Sequence, residues 1–416
     1  MTVLIAGAGI GGLALGLSLH QAGVPFRIVE SVRDIRPMGV GINLQPHAVR
    51  ELFELGLEPE LDKLGIRTGA LAYVSAQGKP IWDEARGIGA GYRWPQYSLH
   101  RGGLQMLLLR TLLDRAGDVI ETATALDGWT QGESHLRVHL TDRTTGQRKQ
   151  SREASVLIGC DGINSVTRQR LFPDEGVARW GGTIMWRGVT IGPAFLGGKT
   201  VVMAGRKDQK FVVYPIEDMG DGNVLINWIA DLEKPADYDW NKQDWSREGV
   251  IADFASHFAD WRFDWLDIPW VIENAERVWE YPMVDRDPLP RWSHGRVTLL
   301  GDAAHAMYPI GSNGASQSIL DARVLAREIR RHGPTARALE AYDDDRRVPA
   351  NKVVLANRND GPDKVLDEVA ARAPKGFERI EDVMSLDELE RAASAYKAIA
   401  GMNIEALNAR PALMDL

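Results

Sequence analysis

The first thirty residues pair short apolar runs with a glycine-rich turn. The apolar run 2–6 is typical of a buried strand, residues 7–12 form the turn, and residues 13–22 have a helical pattern that ends before Gly23. A second buried strand is predicted from Phe26 to Glu30. A strand, a helix and a strand so close together predict a βαβ unit, and therefore a parallel sheet covered by helices.

The later patterns predict a chain with more than one domain. Apolar strands at 156–158 and 297–300 each lead into a Gly/Asp turn, as the first strand leads into its glycine turn. Segments 71–81 and 183–228 instead alternate in short runs broken by Gly, Pro and Asp, which is typical of a β-rich domain. From residue 363 the pattern is helical and charged.

The predicted fold class is therefore α/β, with domains that are discontinuous in sequence. We expect a nucleotide-binding domain from residues 1–72, 98–178 and 280–345. A β-sheet substrate domain of residues 73–97 and 179–279 is inserted into it, and a C-terminal helical segment spans 346–416. That last segment is open to three interpretations, a lid, a dimer contact or a cap, of which we favour the last two.

Composition and charge exclude several functional classes. The 416 residues carry 49 Lys and Arg against 57 Asp and Glu, a formal charge of -8, so there is no broad basic field for nucleic acid. The single cysteine, Cys160, excludes an intramolecular disulfide framework and favours a reducing cytoplasm. The apolar run 3–19 includes five glycines and is shorter than the roughly 20 residues of a membrane span, so we expect a cytoplasmic protein without a membrane anchor.

The first glycine turn has the spacing G-x-G-x-x-G at Gly7, Gly9 and Gly12, and Glu30 follows eighteen positions after Gly12. Gly7 would permit the tight turn, Gly9 the approach of a pyrophosphate, and Gly12 close packing of helix on strand. Glu30 would hold a ribose diol. The pattern predicts dinucleotide binding; the alternative is a turn that only packs a helix on a sheet.

The third Gly/Asp turn favours a flavin over a nicotinamide as the resident dinucleotide. Asp302 lies at the carboxyl end of a predicted strand, where it could accept a hydrogen bond from a ribityl hydroxyl. Residues 311–315 then begin a long helix predicted to reach about Arg331. The amides and the dipole at its start would stabilise the negative pyrimidine end of a reduced flavin.

The three turns together resemble a known family. The first motif with Glu30, the run Gly159-Cys160-Asp161-Gly162 continuing to Arg168, and Gly301-Asp302-Ala303-Ala304-His305 with Pro309 resemble the single-component (class A) FAD-dependent aromatic hydroxylases, the group of para-hydroxybenzoate hydroxylase. Within that family, the stretches 36–43, 95–98, 100–102, 185–190, 281–290 and 307–309 resemble the phenazine-carboxylate monooxygenases of pyocyanin biosynthesis. The resemblance extends from residue 3 to about residue 358.

The resemblance implies a fold and an activity. The fold is a Rossmann-type, GR2-like FAD-binding domain with the inserted β-sheet domain and C-terminal helices. FAD is resident, NADH or NADPH binds transiently as reductant, and O2 gives a flavin C4a-hydroperoxide that hydroxylates an aromatic or N-heteroaromatic substrate, expected to be carboxylated. In the phenazine case the carboxylate leaves as carbon dioxide. We expect no metal, no nucleic acid and no membrane, and a monomer or a homodimer.

The resemblance also assigns cofactor residues. Gly7 and Gly9 form the turn, Asp302 contacts the ribityl chain, and Asp161 with Arg168 belongs to a motif that serves both FAD and the nicotinamide. The remaining assignments are Gly11, Gly12, Glu30 and Arg101 for the nucleotide half, Leu126 for the adenine pocket, Val40 and Gly41 for the isoalloxazine, and Gly311, Asn313, Gly314 and Ala315 for the pyrimidine ring.

Fewer residues are assigned to the substrate. Trp186 and Tyr214 would wall a planar ring, and Pro309 matches a proline whose carbonyl lies over flavin and ring. Arg187 would meet a substrate carboxylate or brace the domain interface. The candidate catalytic residues are His305, Pro309 and Tyr214, although His305 could equally be a turn residue packed beneath the flavin.

Two other activities remain open from the sequence. One keeps the flavin for an epoxidation or a dehydrogenation of an apolar substrate, and the other is a flavin-binding protein without turnover. His135 and His139 are four residues apart, but the alternation of Leu136, Val138 and Leu140 predicts a strand there and not a metal-binding helix.

Overall fold

The computed structural model describes residues 2–240, 247–359 and 361–415. Its strands are β1 (Val3–Ala6), β2 (Phe26–Val29), β3 (Gly41–Leu44), β4 (Gly65–Thr68), β5 (Ala70–Val74), β6 (Pro80–Ala85), β7 (Gln96–His100), β8 (Ile120–Glu121), β9 (Thr124–Gln131), β10 (Leu136–Asp142), β11 (Arg152–Ala154), β12 (Val156–Gly159), β13 (Arg179–Pro193), β14 (Thr200–Arg206), β15 (Gln209–Gly220), β16 (Asn223–Glu233), β17 (Arg262–Phe263), β18 (Leu266–Asp267), β19 (Val278–Asp285), β20 (Ser293–His294) and β21 (Val297–Leu299).

Twelve α-helices accompany these strands in the described residues. They are α1 (Ile10–Gln21), α2 (Pro46–Glu54), α3 (Glu58–Leu64), α4 (Arg101–Ala116), α5 (Val166–Leu171), α6 (Ile268–Glu273), α7 (Asp302–His305), α8 (Gly314–His332), α9 (Ala336–Arg358), α10 (Lys364–Arg372), α11 (Leu386–Ile399) and α12 (Ile404–Ala409).

A six-stranded sheet in the order β20-β21-β12-β1-β2-β8 forms the first domain. Strand β1 lies between β12 and β2, parallel to both, so Val3 is opposite Val156 on one side and Phe26 on the other. Helix α1 packs on α8 and α4, which explains why it is apolar on every side. The predicted α/β fold with a parallel sheet and a βαβ start is confirmed.

A seven-stranded sheet in the order β19-β13-β16-β15-β14-β5-β6 forms the second layer. It is antiparallel except where β14 and β5 run parallel. Strand β5 already begins at Ala70, and β19 stays in this sheet to Asp285, so the sheet extends past the predicted boundaries at 72/73 and 279/280. Only side-chain contacts across strands show where such a sheet ends, and the sequence alone does not contain them.

Alternation along the strands gives the seven-stranded sheet two different faces. One face packs under the aromatic cluster, where the ring of Trp186 stacks on Phe254 at 4.9 Å and Phe211 stacks on Trp228 at 5.9 Å. The opposite face turns toward the parallel sheet. The tryptophan-rich stretch therefore forms the hydrophobic core on one face of the sheet.

The C-terminal helices pack on both domains. Leu413 and Met414 join the core of the parallel-sheet domain, while Val365 and Leu389 join the core beneath the seven-stranded sheet. The segment is thus a cap in this structure, which is one of the interpretations favoured from the sequence. Among the described residues, no helix combines the length and the apolar character that crossing a membrane requires.

Candidate functional site

The first glycine turn is packed so tightly that two of its glycines leave no room for a side chain. Gly7 has a φ of +109°, and a Cβ added to it would lie 2.4 Å from the carbonyl oxygen of Cys160. A Cβ on Gly12 would lie 2.0 Å from the carbonyl oxygen of Gly7. Gly9 differs, because a Cβ there meets nothing within 4 Å. The backbone at Gly9 is therefore open to a ligand, as predicted for the pyrophosphate position.

Glu30 reaches this turn from the end of β2. Its Oε2 accepts a hydrogen bond of 2.7 Å from the backbone N–H of Ala8, and its Oε1 accepts one from Val32. The carboxylate therefore lies beside the start of α1, where the sequence placed the group that would bind a ribose diol.

The turn after β21 and the start of α8 lie on the same side of the parallel sheet. Gly301 has a φ of +64°, Asp302 follows it as the first residue of α7, and Asp302 faces the cavity. Helix α8 has Asn313 as its N-cap, and a Cβ on Gly314 would meet nothing within 4 Å. The helix start therefore presents open backbone to the same space as Asp302.

These turns form one wall of a cavity of about 330 Å³ between the two sheets. Gly9, Gly11, Asp302 and Ala315 line its first-domain side. The opposite wall is the face of the seven-stranded sheet that lies away from the aromatic cluster, and it is formed by Met185, Arg187, Met203, Val212, Tyr214 and Ile229. A glycine cradle, a helix start and a carboxylate at a strand end are the groups that bind a dinucleotide flavin, so the residues present fit FAD.

Other predicted flavin contacts also lie at this cavity. Arg101 and Gly41 line it, and the backbone N–H of Arg101 donates to the carbonyl oxygen of Val40, which is itself buried. Pro309 lines it as well. Gly311 lies behind Asn313, against the hydroxyl of Tyr396 on helix α11, to which the Asn313 amide donates at 3.0 Å. The C-terminal cap therefore holds the loop that precedes α8.

Leu126 and Arg168 do not line this cavity, and the assignment of Leu126 to an adenine pocket stays a prediction. Leu126, on β9, packs in a core with Leu4 and Val29 and does not line the cavity. The guanidinium of Arg168 is 1% exposed and donates to the carbonyl oxygens of Ala303, at 3.1 Å, and Ala304, at 2.9 Å. Arg168 thus braces the turn that follows β21 from behind, because its position on α5 directs it into the protein.

The carboxylate of Asp161 binds residues at the start of α5. It accepts hydrogen bonds from Ser165 Oγ at 2.5 Å and from the backbone N–H of Thr167 at 2.9 Å. Burial raises the pKa of this carboxyl. The conformation described therefore uses Asp161 to hold the first turn of α5, whose N-cap is Ser165.

His305 is a buried member of a charge network beneath the turn that follows β21. Its Nε2 is 2.6 Å from Asp321 Oδ2, which also accepts from the backbone N–H of Gly301 at 3.1 Å. Asp321 Oδ1 accepts from Arg346 Nε at 2.8 Å. His305 is buried and does not line the cavity, and its role toward the flavin stays a prediction.

The structure corrects the expectation that Trp186 walls the substrate ring. Successive residues of a strand point to opposite faces, and Met185 and Arg187 face the cavity, so Trp186 points away into the aromatic core. The sequence predicted the strand but not which alternate set faces the flavin side.

Arg187 and Tyr214 do lie at the cavity. Arg187 Nη2 donates to the carbonyl oxygen of Gly41 at 2.8 Å, so the residue bridges the two domains, while its Nε is buried without a partner among the described residues. Burial raises the pKa of Tyr214 to about 12 although Arg187 lies beside it, so the phenol stays protonated at neutral pH.

Sequence reasoning missed several polar residues of this wall. Asn227 Oδ1 accepts from the backbone N–H of Gly41 at 2.6 Å and fixes the start of β3. Lys210, Asp231 and Asp363 form a buried cluster that also lines the cavity. A single charged residue within an apolar strand, as at Lys210 and Asp231, is the signal that could have revealed them.

Comparison with known proteins agrees with this geometry. Residues 1–357 match the family described as FAD binding domain. The chain is 43% identical over 362 residues to phenazine 1,6-dicarboxylic acid hydroxylase of Lysobacter antibioticus, covering 86% of this chain and 89% of that protein. It is 28% identical over 368 residues to 6-hydroxynicotinate 3-monooxygenase of Bordetella bronchiseptica, covering 84% and 89%.

Solved structures share the fold. Klebsiella pneumoniae HpxO complexed with FAD and uric acid matches with a TM-score of 0.75 at 22% identity, covering 99% of this chain and 97% of that one. A salicylate hydroxylase substrate complex matches with a TM-score of 0.73 at 23% identity and 99% coverage of both chains. The chain therefore belongs to the FAD binding domain family, and within it to the FAD-dependent aromatic hydroxylases that its motifs resemble.

Proposed function

We propose that this chain is an NAD(P)H-consuming monooxygenase that hydroxylates an aromatic or N-heteroaromatic carboxylate. The observation that carries the proposal is the shared cavity, in which the cradle that fits FAD faces a sheet surface that combines apolar side chains with Arg187. The relatives named above, which act on phenazine 1,6-dicarboxylic acid and on 6-hydroxynicotinate, support an aromatic acid as substrate. Where the carbon that is hydroxylated carries the carboxylate, we propose that the carboxylate is lost as carbon dioxide.

The residues of the chain divide the work between holding the cofactor and orienting the ring. Gly9, Asp302 and the start of α8 would hold FAD, which supplies the electron transfer and the oxygen activation when it is bound. Met203, Val212 and Ile229 present an apolar surface that excludes water from the ring. Exclusion of water matters because it protects reactive oxygen chemistry from side reactions.

The polar groups of the cavity would orient the substrate. Arg187 lines the cavity and has an unpartnered Nε, so we assign it to the substrate carboxylate in addition to its bond to Gly41. Tyr214 is a neutral phenol that can donate a hydrogen bond. Pro309 would pack over the ring from the flavin side. We assign no proton transfer to His305, because its Nε2 already bonds to Asp321.

The purified protein tests this proposal directly. We expect a yellow protein with flavin absorbance, whose NADH or NADPH oxidation under air rises when phenazine-1-carboxylate, 6-hydroxynicotinate or a related aromatic acid is added and yields a hydroxylated product. Mass analysis of that product with labelled O2 decides between simple and decarboxylative hydroxylation. A colourless protein that cannot be reconstituted with FAD would overturn the proposal. We further expect a cytoplasmic monomer or homodimer.

Replacing Arg187 with glutamine should separate its two roles. If the guanidinium meets a substrate carboxylate, KM for the aromatic acid rises by roughly tenfold or more in Arg187→Gln, since a charge-assisted pair is lost. KM for the matching amide should change little. In Arg187→Lys, KM for the acid should lie between the values for the unmodified chain and for Arg187→Gln. Equal losses for the acid and the amide would show that the residue only braces the domains.

A further inference from the structure

The buried cluster of Lys210, Asp231 and Asp363 has no assigned role in holding FAD or in placing the carboxylate. Lys210 Nζ donates to Asp363 Oδ2 and lies 3.3 Å from Asp231 Oδ2. All three residues are nearly buried, with 6%, 3% and 5% exposed in that order. Two carboxylates therefore share one ammonium group inside the protein, which leaves the cluster with a formal charge of -1.

Each carboxylate of the cluster is only half satisfied. Asp231 Oδ1 and Asp363 Oδ1 are buried and have no hydrogen-bond partner among the described residues. An unsatisfied buried acceptor destabilises the fold, and charged clusters of this kind seldom stabilise a fold better than apolar packing does. Two such oxygens in residues that line a cavity therefore indicate a place where a ligand completes the bonding.

Strand geometry puts the cluster at one end of the cavity's sheet wall and Arg187 further along it. Lys210, Val212 and Tyr214 are alternate residues of β15, so all three face the cavity. Asp231 is paired with Lys210, and Ile229, which precedes it on the same face of β16, is paired with Arg187. Two residues along a strand span about 6.6 Å, so the cation Arg187 and the anionic cluster lie in neighbouring rows of one wall.

The wall is therefore polarised in a way that favours one orientation of an aromatic acid. A carboxylate near the cluster would meet negative charge and two oxygens that cannot donate, whereas near Arg187 it meets a guanidinium. A hydroxyl or an N–H group on the opposite edge of the ring would supply the donor that the two aspartates lack.

We propose that Lys210, Asp231 and Asp363 form a substrate-recognition subsite that binds a hydrogen-bond donor, N–H or O–H, on the ring edge opposite the substrate carboxylate. The subsite disfavours a second carboxylate at that edge. This inference rests on the proposed function, because it assumes an aromatic acid in the cavity. Among such acids it favours monocarboxylates that carry a donor over phenazine-1-carboxylate, which has none, and over the dicarboxylic acid that the name of the Lysobacter relative gives.

Matched ligands test the subsite on the FAD-loaded chain. The probes are benzoate, nicotinate and phenazine-1-carboxylate, each compared with a hydroxy derivative and with a dicarboxylate of the same ring, and binding is followed by the change in flavin absorbance. We expect the hydroxy derivative to bind about tenfold more tightly than the dicarboxylate in at least one ring series, since one charge-assisted hydrogen bond is at stake. The absence of this preference in every series would overturn the proposal.

Variants then show whether the cluster is the source of the preference. Asp231→Asn and Asp363→Asn each remove one negative charge and should reduce the ratio of the two dissociation constants about tenfold. Asp208→Asn, which changes an exposed aspartate outside the cavity, should leave the ratio as it is. General structural damage weakens both ligands together, so the ratio does not report it. Two separate variants keep the test available if one of them fails to load FAD.

The outcomes separate this inference from the proposed function. If aromatic acids stimulate NAD(P)H oxidation but the ratio is the same in wild type and in both variants, the subsite assignment falls and the monooxygenase proposal stands. If no acid stimulates oxidation and none binds, both fall.

Discussion

Gly12→Ala is expected to lose FAD and to unfold more easily than the unmodified chain. The added Cβ would lie 2.0 Å from the carbonyl oxygen of Gly7, which is backbone and cannot rotate away. Helix α1 would have to move off the sheet, at a cost of about 1–3 kcal/mol from overpacking. Flavin absorbance after purification and the midpoint of urea unfolding measure the two effects.

Gly9→Ala is the matched control for that prediction. Its φ is -74° and its Cβ would have free space, so the protein should fold with a stability change below about 1 kcal/mol. The methyl group would occupy the surface over which the pyrophosphate has to pass, so FAD affinity should still fall by on the order of tenfold or more. Normal FAD binding by Gly9→Ala would show that the cofactor does not approach the turn at this residue.

The contrast between these two glycines also shows how far sequence reasoning reached. The roles of Gly7, Gly9 and Gly12 follow from one local motif, because a strand, a turn and a helix next to each other in sequence determine most of their own contacts. The parallel sheet followed from the same βαβ unit. The predictions that the structure confirmed, the α/β fold with its parallel sheet and the βαβ start, therefore came from short-range pattern, while the ligand contacts assigned to these glycines stay predictions.

Predictions that needed contacts across the chain were less complete. The alternation of β13 was visible, but nothing in it shows that Arg187 faces the cavity and Trp186 the aromatic core, since both faces of this sheet are buried. Arg168 points inward because it bonds to the turn that follows β21, which is far away in the sequence. Leu126 points inward because β9 packs on β1 and β2.

The Lys210 cluster shows the same limit most clearly. Its members come from two strands and from a turn more than one hundred residues later, and only the folded sheet brings them together. Each residue alone is an ordinary charge in the sequence. Their meeting in one wall depends on the pairing of β15 with β16 and on the path of the C-terminal segment.

Asp321→Ala should be among the most destabilising single substitutions in the chain. Asp321 is fully buried and bonds to His305, to Arg346 and to the backbone N–H of Gly301. Without it, the guanidinium of Arg346 is left buried without its carboxylate, and breaking a buried pair in this way typically costs about 3–5 kcal/mol. We expect a large loss of thermal stability. We also expect loss of FAD, because Gly301 begins the turn that brings Asp302 to the cavity.

The pH dependence of stability gives an independent readout of the same network. Burial acts to raise the pKa of Asp321, but His305 and Arg346 hold it below its usual value. Its stabilisation is therefore present above the ordinary aspartate pKa of about 3.9 and is lost as the pH falls through the lower folded value. Asp321→Asn should remove this component, so its melting temperature should fall less steeply than that of the unmodified chain as the pH is lowered below about 4.

His305→Gln decides between a structural and a proton-transfer role for the histidine. The amide nitrogen of glutamine can take the place of Nε2 and still donate to Asp321, but an amide cannot carry a proton between groups at neutral pH. If His305 only holds the turn, the variant should retain FAD and keep its turnover within about threefold, because the hydrogen bond survives. A loss of a hundredfold or more with FAD still bound would instead indicate proton transfer by His305, since general acid–base catalysis is typically worth that much.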